Sequence, residues 1–342
     1  MGYLVLLPNF QWLLPEILIF KYFSIPLVIL SFYALIKKIK LNASFLYFLA
    51  FASLVLSIDL LFSIIGFASP ESTLTVAIRW FVFLSCFLIG YNRLINPTVW
   101  RNIFFLGVIV LIAQVFFVEV HNIVTFIWGS YQDYLTSGVY RRSNAISSHF
   151  YSVVPFFLIL LLLWGNTRPL TTTFIIFMTS VMSVSRTGFV FVTARLRPSI
   201  KIVALFCFGI IAIYYLSRPF QALIEQIFLT DNIYLSILYS KNPSISQRVE
   251  DWQTIIQMIG PDFWSMNQRI SAEYGMEIGL GKFLFNGFIS GIALQMIIFW
   301  CLRKDLMLLL AFLLFEIFSI SMWRIDVLFL LSIWIGQCYK QK

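Results

Sequence analysis

Charge is what this sequence has least of. Asp, Glu, Lys and Arg together make up 11% of its 342 residues, where a soluble domain carries about 25%. Histidine is scarcer still, with His121 and His149 the only two. The four cysteines, Cys86, Cys207, Cys301 and Cys338, fall in apolar runs without the spacing of a zinc or redox site. They read as packing residues. The first twenty residues, "MGYLVLLPNFQWLLPEILIF", have no basic n-region and no small-residue cleavage site, so they read as structure and not as a cleavable signal. These shortages argue against a water-soluble domain and against a cysteine–histidine metal centre.

What is abundant is apolar surface. The chain is 60% hydrophobic with a mean hydropathy of +0.90. No layering of soluble elements hides that much, so lipid is the solvent and the fold class is an all-α polytopic membrane protein. The net charge of +9 is not a nucleic-acid footprint, because it comes in short clusters between apolar runs: "KKIK" at 37–40, Arg93 and Arg101, Arg168, "RLRPSIK" at 195–201, "LRK" at 302–304 and "YKQK" at 339–342. That distribution is the positive-inside signature. A spanning helix takes about 17–25 apolar residues, fewer where a half-span lines a cavity. Spans are expected near 3–20, 22–36, 44–66, 74–93, 102–118, 149–164, 171–184, 188–197, 201–217, 276–300, 305–320 and 325–340. With these twelve, every basic cluster falls on one side, and both termini are cytoplasmic. Residues 1–342 then form a single integral membrane domain.

The opposite side carries the long connections, at about 119–148 and 218–275. Ten of the fifteen acidic residues lie there or at that boundary, and Asp305 alone lies in a cytoplasmic loop. Long connections are usually functional or disordered, and 218–275, between the ninth and tenth spans, is not low in complexity. Its stretch "ISQRVEDWQTIIQMI" at 245–259 places Val249, Trp252, Ile255, Ile256 and Ile259 on one helical face. Any chemistry is therefore expected to face outward. Asp59, Arg79, Glu316 and Asp326 are lone charges within spans. Each is either a functional group or a structural ion pair or snorkelling residue.

Four arginines belong to the outward side. Arg186 stands in the apolar run "SVMSVSRTGFVFVTARLR" with no carboxylate nearby in sequence. Gly188 lets the chain turn there between two short helices, and Ser183, Ser185 and Thr187 add hydroxyls. Arg141 and Arg142 in "GVYRRSNAISSHF" mark the outer end of the 149–164 span, beside Asn144, Ser147, Ser148 and His149. Arg248 lies in "SISQRVEDW" on the large loop. Guanidiniums near membrane depth make a cradle for a phosphate or diphosphate, which Arg grips bidentately. Plainer readings stay open: Arg141 and Arg142 as a helix-end anchor on lipid head groups, Arg248 paired with Glu250 or Asp251, and His149 as a satisfied helix-end histidine.

These residues, in this order, resemble the O-antigen polymerase/O-antigen ligase family of bacterial membrane glycosyltransferases. The likeness covers most of the chain after about residue 100. Its elements are "RRSNAISSHF" before a span, the "SVSRTG" turn, "SISQRVEDW" in a large external loop, and "EYGMEIGLGKFLFNGFISG" as an acidic approach to a span. The combination of "SRTG" with an R-x-x-x-W segment is the most specific part. Two departures stand out: "IGPDFWSMNQ" follows Arg248 in place of a glycine-rich turn, and no histidine follows it. The second favours the polymerase branch over the ligase branch.

The resemblance implies an enzyme of the bacterial plasma membrane, with its active site on the extracytoplasmic side. It would join undecaprenyl-diphosphate-linked oligosaccharide repeat units into surface polysaccharide, such as a capsule or exopolysaccharide. A flippase and a chain-length regulator would be partners, and neither a nucleotide sugar nor a metal is expected as cofactor. Arg186, Arg142 and Arg141 would hold the diphosphate, with His149, Asn144 and Ser185 as accessory groups. Arg248 would stabilise the leaving group, and Glu277 or Glu273 would serve as general base. Glu273 and Glu277 are i, i+4 and share one helix face, but two interfacial carboxylates, one neutralising Lys282, fit as well. A flippase for the same lipid-linked sugar, or a ligase passing finished polymer to a final acceptor, are the alternatives.

Overall fold

The computed structural model describes residues 40–66, 70–128, 153–165, 174–180, 279–281, 283, 288–303, 305–318 and 324–340. Among them the backbone is helical or in turns between helices, with no strand. Apolar runs of this length have little alternative in lipid, where each N–H and C=O must be satisfied within its own segment.

Polar residues punctuate the runs. α1 (Ala43–Ile65) starts where the Asn42 side chain accepts the Phe45 N–H at 2.7 Å, and ends on Gly66 in the left-handed region at φ 91°. α2 (Pro70–Tyr91) closes in a Schellman motif, with the Arg93 N–H donating to Gly90 O and the Leu94 N–H to Ile89 O. Arg93 takes the left-handed conformation, φ 50°, that glycine usually fills. α3 (Pro97–Phe116) is capped by Asn96, with Pro97 in its first turn. α1, the Ser72–Tyr91 stretch of α2, and α3 are long and apolar enough to cross a membrane, matching the spans expected at 44–66, 74–93 and 102–118.

α4 (Val118–Trp128) departs from expectation, since 119–148 reads as a connection in the sequence. The chain breaks only at Phe117, whose backbone is extended at φ −115° and ψ 119°. A new helix then begins with Glu119 in its first turn, where a carboxylate complements the helix dipole. α5 (Val153–Trp164) and helical residues 174–180 follow within the expected spans at 149–164 and 171–184. After helical residues Gly279–Gly281 come α6 (Phe288–Leu302), α7 (Leu306–Phe318) and α8 (Ile325–Lys340). Asp305 caps α7 by accepting the Leu308 N–H at 3.0 Å.

α2 and α8 form the most extensive helix pair, with α5 against α8 and α1 against α2. Within the membrane-crossing stretches, 72% of α2 is buried, against 17% of α1 and 33% of α3. α2 is therefore central, while α1 and α3 turn Leu54, Leu61, Ile64, Phe105, Ile109 and Phe116 outward. Such faces suit lipid, because the same residues would be costly against water. α1 keeps only a narrow inward stripe of Phe45, Ala52, Val55 and Asp59.

The basic residues gather at one end. The Lys40 N–H donates to Asn92 Oδ1 at 3.1 Å, bringing the start of α1 beside the end of α2. Phe48, Phe87 and Tyr339 pack ring to ring, and Tyr339 Oη lies 3.6 Å from Cys301 Sγ. Lys40, Arg93, Arg303 and Lys340 therefore share one end of the bundle. Arg303 lies over the exposed Trp300 ring, 3.2 Å from its centroid, a pairing suited to a membrane–water boundary.

Candidate functional site

The diphosphate and catalytic residues expected from the sequence (Arg141, Arg142, Asn144, His149, Ser185, Arg186, Arg248, Glu273 and Glu277) lie outside the described residues. The four lone charges lie within them and divide into different roles. Asp326 sits half-buried in the first turn of α8, a helix-dipole position. Arg79 is buried on α2, and its guanidinium donates to Thr75 O at 3.0 Å, one turn back on its own helix. Asp59 and Glu316 are each 1% exposed, and both hydrogen-bond to α6.

The segment that leads into α6 is broken. A Cβ on Gly291 would lie 2.3 Å from the Phe283 carbonyl oxygen. Residues eight apart in one continuous helix stand about 12 Å apart along the axis, so Phe283 and Gly291 do not belong to the same continuous helix. The span expected at 276–300 is thus not one continuous helix: helical residues Gly279–Gly281 and α6 are separate stretches of it. Hydropathy is blind to this, because "GLGKFLFNGFISG" is apolar in either conformation. Its glycines are the only sequence signal, allowing backbone to approach backbone.

A helix that begins inside the bundle exposes N–H groups that need acceptors. Asp59 of α1 supplies one: its Oδ2 accepts the Ser290 N–H at 3.0 Å and also the Ser290 hydroxyl. A carboxylate at a helix N-terminus is favoured by the dipole as well. Trp80 of α2 holds the same residue from the other side, its Nε1–H donating to Ser290 O at 3.0 Å. Ser290 thereby ties α6 to α1 and α2. Glu316 of α7 also reaches α6: its Oε2 accepts a long hydrogen bond from Gln295 Nε2 at 3.4 Å. A Cβ on Gly279 would lie 2.0 Å from that same oxygen.

Two buried carboxylates from different helices therefore bond to α6, Asp59 at the Ser290 backbone and hydroxyl and Glu316 at the Gln295 side chain, and Glu316 also lies where a side chain on Gly279 would be. Among the described residues no group of His, Cys, Asp or Glu could hold a metal ion. Sequence reasoning singled out Asp59 and Glu316 as lone intramembrane charges, but not their partners. Ser290 and Gln295 are ordinary residues in an apolar helix, and Asp59 and Ser290 are 231 positions apart.

The capping contact makes a testable difference. Asp59→Leu leaves the Ser290 N–H without its acceptor and is expected to cost about 1–3 kcal/mol. Asp59→Asn keeps an acceptor oxygen and loses mainly the charge–dipole part, about 0.3–1 kcal/mol. Thermal unfolding of the detergent-solubilised protein should therefore rank wild type above Asn and Asn above Leu. An equal loss for both would mean that the negative charge, and not the hydrogen bond, holds α6.

No protein-family model matches this chain, and no curated protein or solved structure is significantly similar to it. The functional assignment accordingly stands on residues and motifs.

Proposed function

We propose that this protein is a membrane glycosyltransferase that polymerises oligosaccharide repeat units carried on a lipid diphosphate. The observation that carries the proposal is Arg186, a guanidinium in an apolar run. No Asp or Glu occurs from Tyr134 to Ile224 to pair with it along the chain. A cation so placed, with Arg141, Arg142 and Arg248 in the neighbouring outward segments, suits an anionic lipid head group. The shared end of Lys40, Arg93, Arg303 and Lys340 supports taking that end as cytoplasmic. The broken approach to α6, gripped by Asp59 away from that end, then belongs towards the extracytoplasmic side.

In the reaction, the acceptor hydroxyl attacks the anomeric carbon of the donor sugar. The bond from that carbon to the diphosphate oxygen breaks, and the lipid diphosphate departs carrying the electron pair. Fixed guanidiniums lower the barrier because they meet charge as it develops. A carboxylate, Glu277 or Glu273, takes the hydroxyl proton. The polymer grows by one repeat unit per transfer.

A second function is favoured by one observation, the discontinuous helix, which is a common element of transporter binding sites. One experiment separates the two. Purified protein in vesicles is given a lipid-diphosphate oligosaccharide with a chelator present. A ladder of longer lipid-linked products is expected. Movement of the lipid-linked sugar across the bilayer without change of size would make the protein a flippase instead, and neither outcome would overturn both assignments.

A further inference from the structure

Arg303 follows α6 at the turn into α7, and its guanidinium lies 3.2 Å from the centroid of the exposed Trp300 ring. Ile292, Met296 and Trp300 recur every fourth residue as an exposed strip of α6, a length of about 12 Å. Leu306 and Leu310 make a second exposed strip at the start of α7, which packs on α6. An exposed cation thus stands at the head of two apolar strips. It is not alone there. Lys40, Arg93, Arg101 and Lys340 are exposed at the same end of the bundle, and among the described residues no carboxylate pairs with any of the four. Asp305 is the one acid at that end among the described residues, and it caps α7. Asn92, next to Arg93, pins the backbone of residue 40, accepting the Lys40 N–H on Oδ1 and donating from Nδ2 to Lys40 O at 3.3 Å. Cations from the ends of α1, α2, α3, α6 and α8 are therefore gathered into one rim. Like charges so gathered oppose the packing of the helices that carry them, unless anions meet them.

From this juxtaposition we propose that the basic rim is a docking surface for anionic phospholipid, with the phosphate of the head group on Arg303 and an acyl chain along Ile292, Met296 and Trp300. A guanidinium grips phosphate oxygens bidentately, and an indole suits the head-group level, where its apolar body and polar N–H are both satisfied. The strips decide the kind of partner. An acidic soluble protein would meet the cations but not the strips, which run on along the helices away from that end. A phospholipid meets both at once. The surface lies away from the chemistry proposed above and does not depend on it.

The test compares thermal unfolding of the full-length protein in nanodiscs of phosphatidylcholine alone and of phosphatidylcholine mixed with phosphatidylglycerol. Binding to the folded state raises the unfolding midpoint, and a rise of about 2–4 °C is expected in the mixture. Arg303→Gln should need about fivefold more phosphatidylglycerol for half of that rise, the weight of one cation at an anionic surface. Where Arg303→Gln fails to fold, Lys340→Gln, exposed on the same rim, reads the same quantity. Equal midpoints in the two lipids would overturn the proposal, as would a lipid dependence unchanged by the substitution. An equal rise on adding soluble polyglutamate to phosphatidylcholine discs would overturn it too, and make the rim a surface for an acidic protein.

Discussion

Gly336→Val is expected to abolish accumulation of folded protein. A Cβ at Gly336 of α8 would stand 2.1 Å from Phe87 O and 2.8 Å from Tyr91 N, both backbone atoms of α2. The contact is reciprocal, because a Cβ at Gly90 of α2 would stand 1.9 Å from Ile333 O. A side-chain tip can rotate away, but two helix backbones can only separate. Small residues at such crossings let helices approach closely, which drives association where lipid offers no hydrophobic force. Forcing apart the most extensive helix pair would also open the ring cluster of Phe48, Phe87 and Tyr339 beside it. Overpacking typically costs about 1–3 kcal/mol and occasionally more, and a clash between two backbones belongs at the upper end, a large part of a typical folding free energy. Gly165→Ala is the control. Nothing lies within 4 Å of a Cβ there, and only its φ of +78° is unfavourable, a cost of about 1–2 kcal/mol. Size-exclusion profiles of tagged protein should show aggregated or absent Gly336→Val and a monodisperse Gly165→Ala.

Neither glycine contact can be read from the sequence, and the reason separates what is legible from what is not. Helix positions in the first half depend on local properties, apolar length and a polar stop. Asn42, Gly66, Asn96 and Pro97 therefore mark real ends within a few residues of the expected ones. The grouping of Lys40, Arg93, Arg303 and Lys340 is legible too, because it follows from the alternation of basic and apolar segments. Which helices touch depends on residues far apart in the chain. α1 and α2 both have the length and hydropathy of a span, yet one faces outward and the other is central.

The same distinction runs through the candidate site. Asp59 and Glu316 stand out in the sequence because a charge in an apolar run is conspicuous. What they do is set by Ser290, Gln295 and Gly279, none conspicuous, brought to them by the fold. α4 escapes notice for the opposite reason: Glu119, His121 and Asn122 make the start of a helix look like a connection. A lone charge thus flags a location without naming its role. Both of these carboxylates bond to α6, five residues apart on the one helix, and a fully satisfied buried polar contact rigidifies the helices it joins.

Arg248→Ala is expected to lower kcat and kcat/KM together by about two to three orders of magnitude, as when one oxyanion-hole donor is lost. The expectation follows from when charge appears. On the proposed function, the diphosphate already carries charge before transfer, and Arg186, Arg141 and Arg142 are the residues proposed to meet it. In the proposed reaction, further negative charge moves onto the departing oxygen as the anomeric carbon–oxygen bond breaks, and Arg248 is proposed to meet that increment. An interaction that strengthens only in the transition state appears in kcat, whereas one present throughout appears in KM alone. Arg248→Lys should recover little, because an ammonium cannot reproduce the paired donors of a guanidinium. Steady-state elongation kinetics, with donor binding measured separately on the same vesicles, distinguish the cases. A variant with weakened donor binding and unchanged turnover would make Arg248 a docking contact. Unimpaired elongation by Arg248→Ala would remove this loop from the chemistry and leave the leaving-group charge to the membrane-depth arginines.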